Sequence, residues 1–144
     1  MTILCIDTAS NTLMLALGDT TSSTLLARCC EASESHRYHS AMMTPSLQGL
    51  FNEAQCTPKA LSGIAINLGP GSFTGIRTGL STARTLAQFL DIPVYCFNTF
   101  ELLAGAQLNT PTTLYLNALQ KKAYVACLSV NTDYHITYST PPAL

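Results

Sequence analysis

Near the middle of this chain a glycine-rich turn joins an apolar strand to an amphipathic helix, and few folds accommodate that junction. Gly63-Ile64-Ala65-Ile66-Asn67 is a continuous apolar run of strand length and reads as a strand buried on both faces. Directly behind it stands Leu68-Gly69-Pro70-Gly71-Ser72-Phe73-Thr74-Gly75. Its glycines reach backbone angles closed to other residues, and Ser72 or Thr74 can cap the start of a helix. Ile76, Leu80, Ala83, Ala87 and Leu90 then recur at alternating steps of four and three, the spacing of one helical face, until Asp91-Ile92-Pro93 ends the run. Gly75, Gly79 and Ala83 are four apart and share a side of the same helix. A second element can approach closely there, either from within the chain or from a partner.

The flanking segments extend this unit. Ile3-Leu4-Cys5-Ile6 is a short apolar strand closed by the turn formers Asp7-Thr8-Ala9-Ser10-Asn11. Thr12 to Leu17 and Thr24 to Cys29 are further strands separated by a polar turn, which predicts an antiparallel meander. Met43, Leu47, Leu50, Phe51 and Ala54 then adopt helical spacing, with Ser40 as the expected cap and Pro45 tolerable only in the first turn. Val94 to Phe97 is another strand, and Thr99 to Leu108 a short helix capped by Thr99. The order becomes β-β-β-α-β-α-β-α. From Pro111 strands return, at Thr113 to Asn117, Ala123 to Val130 and His135 to Tyr138, before a Thr140-Pro141-Pro142 tail.

Composition narrows the function classes. The 144 residues are 47% hydrophobic and only 10% charged, against roughly 25% charged in ordinary soluble domains, which predicts that a partner covers part of the surface. A net charge of −1 provides no field for gripping a phosphate backbone, so contact with a nucleic acid would be indirect. The six cysteines, Cys5, Cys29, Cys30, Cys56, Cys96 and Cys127, show no Cys-x-x-Cys spacing and read as reduced thiols of a cytoplasmic protein. No apolar run approaches the roughly 18 residues that span a bilayer, and the opening residues lack the basic flank of a signal peptide.

The glycine loop is a potential anion cradle, because free N–H groups gather where a helix begins. As a nucleotide site it is incomplete: the Gly-Lys-Ser or Gly-Lys-Thr ending of a P-loop is missing, since Ile76 follows Gly75. Asp7 and Thr8 stand after the first strand, where a carboxylate can serve metal and phosphate, and define a vestigial nucleotide site. The plainer reading makes Asp7 a turn residue. His36 and His39 share a helical face but lack a third ligand and a His-Glu-x-x-His pattern, so no metal site is assigned. Ser72 sits in Pro70-Gly71-Ser72-Phe73-Thr74, which is not a nucleophile elbow, and no catalytic residue is assigned.

Several of these motifs together resemble one family. Ile6-Asp7-Thr8, His39-Ser40 followed by Pro45, the loop from Gly69 through Pro70, Gly71, Ser72, Phe73, Thr74, Gly75 and Ile76 to Arg77, and Asn98-Thr99 with Glu101-Leu102-Leu103-Ala104 all look like TsaB (YeaZ) proteins. The resemblance covers about residues 3–104. It implies an α/β fold of the actin-like ATPase (ASKHA, ribonuclease H-like) class, with a first lobe over residues 1–108 and a truncated, mainly stranded second lobe over 109–144. It further implies a non-catalytic scaffold subunit that pairs with TsaD, and works with TsaE, in making threonylcarbamoyladenosine on tRNA beside the anticodon.

Carried over residue by residue, the family's helical contact with TsaD, or with a second copy, falls on Met42, Met43, Ser46, Leu50, Ile76, Leu80, Ala83 and Arg84, while Gly69 to Gly75 and Arg77 form a conformational or anion-binding loop. TsaD holds its metal partly through a His-x-x-x-His pair, and the matching stretch Phe97-Asn98-Thr99-Phe100-Glu101-Leu102-Leu103 has no histidine. Thr99 and Leu103 cannot replace those ligands. ATP or ADP and a metal are therefore expected only through TsaD and TsaE, with no cofactor on this chain alone. Asn117-Ala118-Leu119-Gln120-Lys121-Lys122-Ala123-Tyr124 resembles the family's Asp-Ala-Arg-x-x-Glu-Val-Tyr segment, but Asn117 lacks the acid and the glutamate is replaced. Two alternatives stand beside this reading: an actin-fold small-molecule kinase or ATPase, and a homodimer acting without TsaD.

Overall fold

The computed structural model describes residues 1–32, 37–105, 111–118, 122–130 and 136–143. Three strands open the chain, β1 (Thr2–Asp7), β2 (Thr12–Asp19) and β3 (Thr24–Ala32), followed by helix α1 (Arg37–Glu53), β4 (Leu61–Asn67), α2 (Phe73–Leu90), β5 (Val94–Phe97) and α3 (Thr99–Ala104). This is the expected order. β6 (Thr112–Asn117), β7 (Ala123–Val130) and β8 (Ile136–Ala143) complete it.

The first five strands form one sheet in the order β3-β2-β1-β4-β5. β1 to β3 are the antiparallel meander read from the turn residues, and β4 returns parallel to β1. A parallel return needs a crossover, and α1 supplies it. Register aligns the apolar positions of neighbouring strands: Leu4 faces Leu17 and Ile64, and Ile6 faces Leu15 and Ile66. Because side chains alternate across a strand, these residues all point to one side. They are buried there with Met43, Leu50 and Phe51 of α1 and Ala83 and Ala87 of α2.

The helices differ from expectation in their ends. α1 already runs at Arg37, so Ser40 lies within it, and Pro45 sits inside the helix instead of in its first turn. Proline removes one intrahelical donor and strands the carbonyl four residues before it, at Ala41. Both Ala41 and Pro45 are exposed, so water can serve that carbonyl. α3 is capped by Asn98, not Thr99: the Asn98 side chain accepts from the Glu101 N–H at 2.9 Å, and the Glu101 carboxylate accepts from the Asn98 N–H at 2.8 Å. This reciprocal capping box fixes the helix start one residue early. α3 is six residues long, and residues 106–110 of the helix expected to reach Leu108 lie outside the described residues.

β6, β7 and β8 form a separate antiparallel sheet with β7 in the middle. β8 continues through Pro141 and Pro142, which the sequence placed in a tail. An edge strand tolerates proline because one row of its N–H groups needs no strand partner. The chain divides into two compact units, Met1–Cys96 and Phe97–Leu144. This boundary precedes α3 instead of following residue 108, because Phe100 and Ala104 of α3 are buried with Ala126, Leu128 and Val130 of β7.

Candidate functional site

The seating of α2 decides what the first unit can do. The side of α2 that meets the sheet is Gly75, Gly79, Ala83 and Ala87, whereas the aliphatic periodicity predicted Ile76, Leu80, Ala83, Ala87 and Leu90. An added Cβ at Gly75 would overlap the Thr8 carbonyl oxygen, and one at Gly79 would overlap Thr8 Oγ1 and stand 3.1 Å from Ile66 Cδ1. The small-residue stripe is therefore consumed inside the chain. It brings the helix backbone down onto β1 and β4, which leaves Ile76 half-buried and turns Leu80 outward.

The glycine loop is fastened in the same way. Asn67, fully buried, accepts from the Gly69 N–H at 2.9 Å, and Gly69 has φ +93, a conformation that favours glycine. The Ser72 N–H donates to the Ala9 carbonyl at 2.6 Å, while the Ser72 hydroxyl caps α2 by accepting from the Gly75 N–H at 3.1 Å. The Ile76 N–H donates to the Ser72 carbonyl at 2.9 Å. Gly69, Ser72, Gly75 and Ile76 thus spend their donors on protein acceptors, and the loop clamps the β1–β2 turn.

That clamp also closes the turn after β1. Asp7 is 7% exposed, and its carboxylate accepts from the Ala9 N–H at 2.8 Å, an Asx-turn bond. Thr8 is fully buried beneath α2, and Gly71 packs against Ala9 so closely that an added Cβ would overlap the Ala9 carbonyl. Asp7 thus bonds within its own turn, and Thr8 is covered by α2. Asp7 is the turn residue of the plainer reading.

The expected contact residues separate into two groups. Met43, Leu50 and Ala83 are turned into the hydrophobic core, and the buried Ser46 donates to the Glu31 carboxylate at 2.9 Å. The same periodicity that marks a contact face also marks the face packed on the sheet, although Met43 still lines the hollow toward α2. Met42 and Ile76 are half-buried, while Leu80 and Arg84 are exposed.

A surface that the sequence did not single out lies between the helices. Two adjoining hollows share Thr44, Ser81 and Thr82: one of about 690 Å³ is also walled by Leu47, Phe51 and Leu86, and one of about 520 Å³ by Phe73, Arg77 and Thr78. The threonine hydroxyls along α2 are satisfied within the helix, Thr78 donating to the Thr74 carbonyl, Thr82 to Thr78 and Thr85 to Ser81 at 2.9 to 3.1 Å. Covering these three hydroxyls therefore strands none of them. Phe73, 74% exposed, stacks with the Arg77 guanidinium 5.6 Å from its ring centroid. The hydroxyl spacing was the available signal, but nothing in a lone sequence separates it from an ordinary solvated face.

Titratable groups elsewhere converge little. Cys29 contacts the Glu31 carboxylate at 3.5 Å on the far flank of α1, and burial raises its thiol pKa above the ordinary value. His39 is fully buried, while His36 lies outside the described residues, as do Leu119, Gln120 and Lys121 of the segment ending at Tyr124. Among the described residues no three His, Cys, Asp or Glu side chains gather as a metal site. Among them too, no helix is long and apolar enough to cross a membrane.

Comparison with known proteins agrees with this architecture. The family model described as TsaD, tRNA N6-adenosine threonylcarbamoyltransferase, matches residues 32–136. The tRNA threonylcarbamoyladenosine biosynthesis protein TsaB of Bacillus subtilis (strain 168) is 39% identical over 105 residues, covering 73% of this chain and 44% of that protein. TsaB of Escherichia coli (strain K12) is 28% identical over 123 residues, 85% of this chain and 51% of the relative. The chain thus spans about half the length of these curated relatives. The structure of YeaZ from Pseudomonas aeruginosa aligns with a TM-score of 0.83 at 23% identity, over 99% of this chain and 65% of that one. The fold is therefore ribonuclease H-like, of the actin-like ATPase (ASKHA) class. With a family model matched over most of its length and TsaB proteins as its curated relatives, the chain belongs to the TsaB (YeaZ) family.

Proposed function

We propose that this chain is a partner subunit, without turnover of its own, in the formation of threonylcarbamoyladenosine on tRNA. It docks on the catalytic subunit TsaD, with TsaE as the further component, and works in the cytoplasm. The observation that carries this reading is the open groove between α1 and α2, lined by Leu47, Phe51 and Leu86 and by hydroxyls already bonded within α2. A helix or helix pair laid into it would bury apolar surface at little cost in unpaired polar groups. ATP or ADP and any metal enter through TsaD and TsaE, and tRNA is held by the partners, since this chain carries a net charge of −1. The kinase alternative would use Asp7 and Thr8, and it is disfavoured because Asp7 accepts from the Ala9 N–H and Thr8 is buried beneath α2.

Size-exclusion chromatography with light scattering tests the reading. The chain mixed with TsaD from the same genome is expected to elute as one complex. Ser81→Arg, at an exposed position lining both hollows, is expected to abolish co-elution while leaving the circular dichroism spectrum unchanged. Two separate peaks for the unaltered chain would overturn the proposal, and self-association without TsaD would favour the homodimer.

A further inference from the structure

β5 ends the first sheet, and among the described residues no strand pairs with its outer side. The Ile64 N–H donates to the Pro93 carbonyl at 3.0 Å, so the backbone at Pro93 points toward β4. Backbone groups alternate sides along a strand, so Tyr95 also turns its N–H and C=O toward β4, while Val94 and Cys96 turn theirs outward. An open edge is a template for another strand, and natural edges are blunted by charges and bulges. The opposite edge of this sheet is defended in that way: β3 carries Arg28 and Glu31, and its pairing with β2 shifts register between Leu17 and Gly18. β5, by contrast, is Val94-Tyr95-Cys96-Phe97, without a charge, and its first three residues are exposed. The Tyr95 ring lies against Gly63, where an added Cβ would stand 2.7 Å from its Cε2, yet the residue is 51% exposed. On the other face of the strand, Val94 shares a depression with Leu80, Arg84, Ala87 and Asp91. Arg84 and Asp91 are seven residues apart on α2 and its cap, about 10.5 Å along the axis. Among the described residues no ion pair joins them.

We infer that this edge is a contact surface for a second copy of the chain, the two β5 strands pairing antiparallel about a two-fold axis at Tyr95. Val94 of each copy then lies opposite Cys96 of the other, and each such pair exchanges both of its backbone hydrogen bonds. Tyr95 meets its own counterpart at the axis as a cross-strand aromatic pair, on the face away from α2. The depression selects the same occupant. Antiparallel pairing runs the two α2 helices in opposite directions, so Asp91 of one copy lies toward Arg84 of the other, and the two-fold repeats the match. A peptide of single sign would satisfy one of these charges and oppose the other. The edge is separate from the groove between α1 and α2, and the inference stands whether or not TsaD docks there.

Sedimentation equilibrium of the intact chain, with a reductant present because Cys96 is exposed, tests the inference. A strand this short makes a small interface, so the expected Kd is about 100 μM, and concentrations from about 10 μM to about 1 mM bracket it. Cys96→Pro removes a donor that only the pairing uses and is expected to abolish the dimer, as is Tyr95→Lys, which sets like charges against each other at the axis. Arg84→Glu is expected to weaken dimerisation about 10-fold. Ser81→Arg, which lies in the groove, is expected to leave it unchanged. Thermal midpoints verify folding, and should the proline variant unfold, Tyr95→Lys and Arg84→Glu decide. A chain still monomeric at about 1 mM, or a dimer that survives these edge substitutions in a folded protein, would overturn the inference. So would a dimer lost in Ser81→Arg, which would assign self-association to the groove and favour the homodimer over the docking role. Failure to bind TsaD with the edge dimer intact would overturn the docking role alone.

Discussion

Replacing Gly75 by alanine separates the two uses of the small-residue stripe. If the stripe faced solvent or a partner, alanine would raise helix propensity and stabilise the free chain by about 1 kcal/mol. In the structure the new methyl would overlap the Thr8 carbonyl oxygen and stand 3.3 Å from the capping Ser72 hydroxyl. The carbonyl is backbone in a clamped turn and has no rotamer in which to retreat. Overpacking of this kind costs about 1–3 kcal/mol, and a rigid obstacle places it at the upper end. Subtracting the helix gain leaves a net loss of about 2 kcal/mol, which lowers the thermal midpoint by about 8–16 °C in a unit of this size. Gly49→Ala on α1 is the internal control, because nothing lies within 4 Å of its added Cβ. It is expected to raise stability by about 0.5–1 kcal/mol. Thermal and urea unfolding followed by circular dichroism measure both. Gly75→Ala as stable as the unaltered chain, yet unable to bind TsaD, would refute the internal seating of α2.

Two further outcomes rest on local geometry. Asn98→Ala removes the acceptor of the capping box and should destabilise the second unit by about 1 kcal/mol, read as earlier loss of amide-exchange protection in α3; unchanged protection would deny the cap its role. The Met1 amine and the Thr21 N–H hold the Asp19 carboxyl down to about 2 from an ordinary 3.8. Because the folded value lies below the unfolded one, this contribution is complete above about pH 4 and disappears as the pH falls through 2; it is small, since the pair is exposed. A carboxyl carbon-13 titration should give a midpoint near 2 for Asp19, and one near 3.8 would show that the pair does not form in solution.

Much of the fold was legible because local chemistry and tertiary packing agree along most of the chain. The turn cluster after Ile6, the apolar β4 run and the Ser72 cap each have one low-energy reading, and together they dictate the order β-β-β-α-β-α-β-α. Errors fell where two readings are locally equal in energy. Asn98 and Thr99 are both good caps, and only the reach of Glu101 back to the Asn98 N–H decides between them. Pro45 reads as a first-turn residue until the helix, starting at Arg37, places it in the interior at an exposed position.

The sequence alone determined the elements and the family, because strand and helix periodicities and a long glycine loop are local properties of the chain. It could not determine which side of α2 faces inward. Gly75, Gly79 and Ala83 would serve equally against a partner or against β1 and β4, and only the packed sheet, with the Thr8 carbonyl beneath the helix, assigns them to the interior. That assignment buries Met43, Ser46, Leu50 and Ala83 within the unit and leaves the groove lined by Ser81 and Arg77 open. A side chain has one direction in space, and burying it against the chain's own sheet withdraws it from every other contact.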